Sequence, residues 1–269
     1  MGLFKRISRG LLTADASAPK GAAGARAYAI GDIHGRLDLL ELLLQRIDAD
    51  RAARPAKKEF IIFLGDLIDR GPDSAGVVER LCGYRPAGAQ VIFLGGNHEE
   101  VLLRILAGEK KILASWLKFG GAECLESYGI DAEALRHREE GDAIRLLQAK
   151  IPAEHRRFLE SFADTFRFGD YLFVHAGIRP GVAIDAQDKS DLRWIREPFL
   201  TDAKEHGCVV VHGHTIVDQV EERRNRIGID TGAYQSGILT ALAIEDERRW
   251  FLATEAGEGR SLGYVSAAA

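Results

Sequence analysis

"IIFLGDLIDRG" occupies residues 61–71. An apolar run ends at Gly65, and Asp66, Asp69 and Arg70 follow at once. A short continuous apolar run that stops at a glycine reads as a strand buried on both faces. The polar group after it then lies at the strand's carboxyl end, where open α/β sheets place their sites. The same construction occurs in "YAIGDIHGR" (28–36) and in "FLGGNHEEV" (93–101). Three strand ends therefore deliver Asp32, His34, Asp66, Asn97 and His98 toward one place.

Working outward, helical patterns separate these strands. Leu40, Leu43, Leu44 and Ile47 recur at helical spacing after the first, and Pro72, Asp73 and Ser74 open a helix carrying Val77, Val78 and Leu81 after the second. Residues 99–165 read as mainly helical, with breaks at Gly120-Gly121 and Gly129 and a helix start at Pro152. Strands return with "YLFVHAG" (171–177), "CVVVHGH" (208–214), "RIGID" (226–230), "ILTALAI" (238–244) and "RWFLATE" (249–255). Short polar connections among the last three suggest an antiparallel sheet. The pattern is that of an α/β or α+β domain.

The totals set broad bounds. A chain of 269 residues with 46% hydrophobic and 28% charged residues has enough apolar material for a sizeable core. A net charge of −4 offers no general argument for nucleic-acid binding. Cys82, Cys124 and Cys208 are scattered without a CxxC pair, which suits a reducing, cytoplasmic compartment. No apolar run reaches the roughly 20 residues that span a bilayer. Residues 1–27 hold five basic residues and one acid, with an Ala/Gly/Ser/Pro-rich second half. They read as a disordered basic tail ahead of a single domain over 28–269, with weak membrane-surface contact by "LFKRISRGLL" as the alternative. Arg6 stands where a myristoylation signal needs Ser or Thr.

Five of the eight histidines (His34, His98, His175, His212 and His214) fall on strand-end loops alongside Asp32, Asp66 and Asn97. One such residue alone is an ordinary turn, cap or packed residue. Together they form a set rich in oxygen and imidazole ligands, which reads as a metal site. Carboxylate, imidazole and amide oxygen without cysteine favour Mn, Fe or Zn. Two such ions about 3.5–4 Å apart can share a carboxylate, activate a water and clamp a phosphoryl group.

"GDIHG", "GDLIDRG", "GNHE", the "FVHAG" histidine and "HGHT" resemble the calcineurin-like metallophosphoesterases, in the branch of serine/threonine protein phosphatases and their bacterial and phage relatives. The resemblance runs from residue 28 to about 245 with motif order intact. It implies a four-layer αββα sandwich with a dinuclear site at the strand ends. Carried over by motif, Asp32, His34 and Asp66 would hold the first ion, with Asp66 bridging, and Asn97, His175 and His214 would complete the second. His98 would be the general acid on the leaving oxygen, with Asp69 orienting its ring. Arg70 would grip phosphate, and Arg196, in "LRWIREPF" (192–199), would be a second phosphate ligand. The bland reading of Arg196 is a surface ion pair with Glu197 or another acid.

Two departures bear on substrate. Protein phosphatases commonly carry Arg two residues before the Asn of GNHE, where this chain has Gly95. Arg36, directly after "GDIHG", is a candidate to compensate. His212 is expected to be a strand residue, because the spacing leaves His214 alone as ligand. Asp230 and Tyr234, in "GIDTGAY" (228–234), are expected to shape the rim rather than react. The resemblance implies a metal-dependent phosphomonoesterase acting on phosphorylated protein or a small phosphoester, most closely a protein serine/threonine phosphatase. The alternatives are a symmetrical dinucleoside polyphosphate (diadenosine tetraphosphate) hydrolase and a relaxed or phosphotyrosine-directed phosphatase. "GNHE" favours the first, since the tetraphosphatases tend to have Asp in the last place. A phosphoprotein-binding module that has lost catalysis is disfavoured, because each expected ligand and His98 are present.

Overall fold

Strands β1 (Ala25–Ile30), β2 (Lys58–Phe63) and β3 (Ala89–Phe93) run parallel, as the three apolar runs ending in glycine require. Parallel neighbours need crossovers, and helices α1 (Leu37–Ala53) and α2 (Ser74–Cys82) supply them. In α1, Leu39, Leu40, Leu43, Leu44 and Ile47 are buried along one face. Helix α2 starts where Asp73 caps it, its carboxylate accepting from Gly76 N–H at 2.8 Å. The computed structural model describes residues 18–258.

Beyond β3 the chain turns at once into α3 (Asn97–Leu106), followed by α4 (Leu113–Trp116), a kinked turn at Leu117–Gly121, α5 (Ala122–Ser127), α6 (Ala132–Arg136), α7 (Glu140–Lys150) and α8 (Ala153–Glu160). The breaks expected at Gly120-Gly121 and Gly129 and the start at Pro152 stand where the sequence puts them. A second sheet follows from β4 (Thr165–Phe168), β5 (Tyr171–Val174), β6 (Val209–His212), β7 (Glu221–Glu222) and β8 (Arg226–Gly228), with α9 (Lys189–Trp194) between β5 and β6. After α10 (Ala233–Ser236), strands β9 (Thr240–Glu245) and β10 (Arg248–Ala253) return to the first sheet. The sheet orders are β10-β9-β1-β2-β3 and β4-β5-β6-β8-β7.

Alternation along the strands sorts the core into layers. On β2 and just past it, Phe60, Ile62 and Leu64 enter the core between the sheets, while Ile61 and Phe63 face the helices. On β5, Tyr171 and Phe173 enter the same intersheet core, and Leu172 and Val174 turn outward to Leu192 of α9. Helix, sheet, sheet and helix thus stack as the expected four layers, held by a central hydrophobic seam.

Two expectations change. "RIGID", "ILTALAI" and "RWFLATE" do not share one antiparallel sheet. The last two form the β9–β10 hairpin on β1, whereas β8 pairs parallel to β6 in the other sheet. Ile227 and Ile229 lie in the intersheet core, and a short apolar segment carries no sign of which sheet edge will accept it. The boundary at 28 also moves back. β1 begins at Ala25, and Gly21 N–H and Lys20 C=O are already bonded to the Asp246 carbonyl and the Asp170 N–H. Of the basic tail, residues 1–17 lie outside the described residues.

Candidate active site

The ends of β1, β2 and β3 in one sheet and of β5 and β6 in the other point to a common edge, and Asp66 stands at its centre. One carboxylate oxygen, Asp66 Oδ2, lies 3.4 Å from His175 Nε2, 3.7 Å from His34 Nε2 and 3.9 Å from His98 Nε2. The backbone is bent to achieve this: φ is positive at His34 (46°), Asp66 (49°), Asp69 (73°), Arg70 (67°) and His214 (63°). Left-handed conformations at non-glycine residues cost about 1–3 kcal/mol each and persist where surrounding contacts over-determine them.

Those contacts are visible around Glu99. Its buried carboxylate accepts from the N–H groups of Asp66 (2.9 Å), Leu67 (2.8 Å) and Gly96 (3.0 Å), tying the β2 loop to the start of α3. Burial and the nearby Asp66 push the Glu99 carboxyl up to about 7. Gly96 permits the approach, because a Cβ there would overlap the Asp66 carboxylate. His98 N–H then donates to Asp66 Oδ1 at 3.0 Å.

The ring nitrogens are oriented by second partners. His34 Nδ1–H donates to the Ile68 carbonyl and His175 Nδ1–H to the Leu64 carbonyl, each at 2.8 Å. Burial lowers the His34 pKa to about 3, so its neutral ring turns an Nε2 lone pair inward. For His175 burial is outweighed by Asp66, which raises the pKa, and Nε2 faces the same cluster. Asn97 Oδ1 sits 3.0 Å from His175 Nε2 and 2.8 Å from His214 Nδ1. Carboxylate, amide-oxygen and imidazole-nitrogen atoms of Asp66, Asn97, His175 and His214 thus converge, a donor set that suits a divalent cation. Two groups of ligand atoms, His34–Asp66–His98 and Asp66–His175–His214, each lie within 4.8 Å. Asp66 belongs to both groups, and their carboxylate and imidazole donors fit divalent metal ions.

Asp32 completes the picture from β1. It accepts from His214 N–H at 3.0 Å, and burial together with Asp230 and Asp66 pushes its carboxyl well above the usual range. For Asp66 burial pushes upward too, but the His175, His98 and His34 imidazoles hold it well below that range. Asp66 thus faces imidazoles, whereas Asp32 faces other carboxylates.

His98 and Asp69 form the expected pair, with Nδ1 and Oδ2 at 2.6 Å. Burial works to lower the His98 pKa, but Asp66 and Asp69 raise it above the ordinary value. Trp116 Nε1–H donates to the same Asp69 oxygen at 2.7 Å, and Ser74 Oγ accepts from Asp69 N–H at 2.9 Å. Arg70 presents its two terminal nitrogens 3.1 Å from the Nε2 atoms of His34 and His98, and its guanidinium lies 5.0 Å from the Tyr234 ring. A cleft of about 470 Å³ opens beside this cluster, lined by Arg70, Asn97, His98 and His214 and also by Arg196. Among the described residues no ion pair joins the Arg196 guanidinium to Glu197 or another acid, and the side chain lines the cleft instead.

Arg36 does not compensate at the phosphate side. Its guanidinium binds Asp38 at 2.8 and 2.6 Å and the Ala233 carbonyl at 2.9 Å, which fixes the loop that carries Tyr234. Beside Gly95 the space is filled by another cation: a Cβ there would lie 3.1 Å from Arg193 Nη2, itself held by Asp164 at 2.6 Å. His212 is buried against Phe199 at the end of β6 and turns away from the cluster, as expected. Glu99, Trp116 and Gly120 were not singled out as site residues. Glu99 had a local signal, as the third residue after a helix N-cap. Trp116 had none, being 47 residues from the Asp69 it meets.

The calcineurin-like phosphoesterase family model matches residues 25–237. An asymmetrical bis(5'-nucleosyl)-tetraphosphatase of Bacillus velezensis is 28% identical, covering 78% of this chain and 86% of that one. Serine/threonine-protein phosphatase 1 of Salmonella typhimurium is 29% identical over 81% of this chain and 91% of its own. A symmetrical bis(5'-nucleosyl)-tetraphosphatase of Methylococcus capsulatus is 30% identical over 57% of this chain, and the matched part spans 43% of that protein's length. A crystal structure of a candidate diadenosine tetraphosphatase superposes with a TM-score of 0.61 at 20% identity, covering 87% of this chain and 98% of the other.

Proposed function

This chain belongs to the calcineurin-like phosphoesterases, and we propose that it hydrolyses phosphoesters by direct attack of water at the cluster around Asp66. The observation that carries the reading is the single oxygen Asp66 Oδ2, shared between the imidazoles of two sheets. Asp32, His34 and Asp66 would hold one divalent ion, and Asp66, Asn97, His175 and His214 the other. Bound ions of this kind supply Lewis acidity that activates water and polarises the phosphoryl group. Mn, Fe and Zn all suit the ligand set.

The remaining chemistry belongs to the chain's own side chains. Arg70 and Arg196 bind the phosphoryl oxygens and orient the ester. As the Arg70 N–H groups turn to phosphate, His98 Nε2 is released to carry a proton toward the leaving oxygen. Asp69 holds the ring by Nδ1 and favours its protonated form, and Trp116 holds Asp69. A positioned acid matters most when the leaving group is a basic alkoxide. The His98–Asp69 pair therefore supports esters of serine and threonine on phosphoproteins as the substrate. A dinucleoside polyphosphate is the second reading, favoured by a cleft whose lining includes Arg70, Arg104 and Arg196 and no Asp or Glu. Three unpaired cysteines suit a cytoplasmic setting.

The test is a comparison of kcat/KM for the Mn-loaded protein on phosphoserine peptide, phosphotyrosine peptide and diadenosine tetraphosphate. Preference for phosphoserine supports the first reading. No turnover of any of them with metal bound overturns the hydrolase assignment.

A further inference from the structure

Among the described residues, two large hydrophobic side chains stand exposed, Phe119 at 66% and Trp194 at 38%. Both line the cleft beside His98. Scattered exposed apolar residues need no explanation, but two rings at one cleft mark a binding surface. Each ring is also tied to a cation proposed to meet phosphate. Phe119 precedes Gly120, whose carbonyl accepts from Arg70 N–H at 3.0 Å, and the kink at 117–121 carries both. Trp194 ends α9, and buried Ile195 separates it from Arg196. The segments that place the two arginines thus also place the two rings.

We propose that Phe119 and Trp194 form a subsite for a planar nucleobase, so that the cleft admits nucleotide phosphoesters, the second reading above, in addition to phosphoproteins. The inference rests on the phosphoester reading above and names what else the substrate bears. Aromatic faces stack on bases without demanding a particular base edge. A cleft of about 470 Å³ is the size of a small-molecule site. Position separates a base from a phosphotyrosine ring. A phenyl group bonded directly to the phosphate oxygen must lie beside His98 and Asp69, where the lining ring is Trp116, hydrogen-bonded to Asp69 and only 3% exposed. A base stands off by a ribose and can reach the two solvent-exposed rings of the lining.

The test uses Phe119→Ala and Trp194→Ala in the full-length, Mn-loaded protein. KM for diadenosine tetraphosphate should rise at least about tenfold in each, equivalent to about 1.4 kcal/mol, with kcat little changed. KM for a phosphoserine peptide should change far less. Equal changes on both substrates, or an unchanged KM for the dinucleotide, would overturn the subsite. A change confined to a phosphotyrosine peptide would place a phenyl ring there instead and equally overturn it. Should the wild-type protein turn over none of these, the phosphoester reading fails separately. The subsite is then judged by equilibrium binding of AMP, which Phe119→Ala should weaken about tenfold; unchanged AMP affinity overturns it.

Discussion

At the scale of the residue, the acid role proposed for His98 can be separated from metal binding by experiment. His98 sits next to Asn97, so the backbone that fixes the amide oxygen also fixes the imidazole, and Asp69 holds its far nitrogen at 2.6 Å. General acid catalysis is worth about 10²–10⁴-fold, and p-nitrophenolate barely needs the proton. His98→Asn should therefore slow phosphoserine hydrolysis far more than p-nitrophenyl phosphate hydrolysis, with metal content unchanged. Equal losses on both substrates, or loss of metal, would remove the acid role. Asp66 makes the opposite case. Asp66→Asn should lower metal content and activity together, by well over the 10–100-fold typical of outer-sphere partners. A variant that kept both ions and near-normal turnover would show that Asp66 is not the bridge.

At the scale of the element, the kink at 117–121 is what positions Arg70. Gly120 adopts φ of 109°, and a Cβ on it would stand 2.5 Å from Arg70 Cγ and 2.6 Å from Arg70 N. Any side chain must therefore displace either the kink or the arginine. Gly120→Ala should weaken inhibition by inorganic phosphate and reduce turnover as Arg70→Ala does, while both variants retain their metals. The alanine at 120 should in addition lower stability by about 1–3 kcal/mol, the usual range for a strained backbone position. If phosphate inhibition is normal in Gly120→Ala but weak in Arg70→Ala, the kink does not position the guanidinium.

At the scale of the whole molecule, the cluster joins the two sheets. Asp32, His34, Asp66 and Asn97 come from the ends of β1, β2 and β3, and His175 and His214 follow β5 and β6. An ion held between them binds only the folded sandwich, and binding to the native state alone stabilises it by about 2.7 kcal/mol at a hundredfold excess over Kd. For a domain of this size that corresponds to a rise in Tm of about 5–10 °C. Manganese should raise Tm by this order over the EDTA-treated protein, and Asp66→Asn should abolish most of the rise. Identical melting with manganese and with EDTA would refute a site that spans the sheets.

Much of this was written locally. Apolar runs ended by glycine gave the three parallel strands, and helical spacing gave α1 and α2, because each depends on periods of a few residues. The polar residues after those glycines, Asp32, His34, Asp66, Asn97 and His98, could be named for the same reason: a strand's end determines where its next side chains go. Tertiary structure alone decided which sheet received β8 and that Arg36 is spent on Asp38 and Ala233. It alone brought Trp116 to Asp69, Arg193 to the space beside Gly95, and Gly120 under Arg70. These are contacts between segments far apart in the chain, selected by shape and charge after the layers pack, and no local period of the sequence records them.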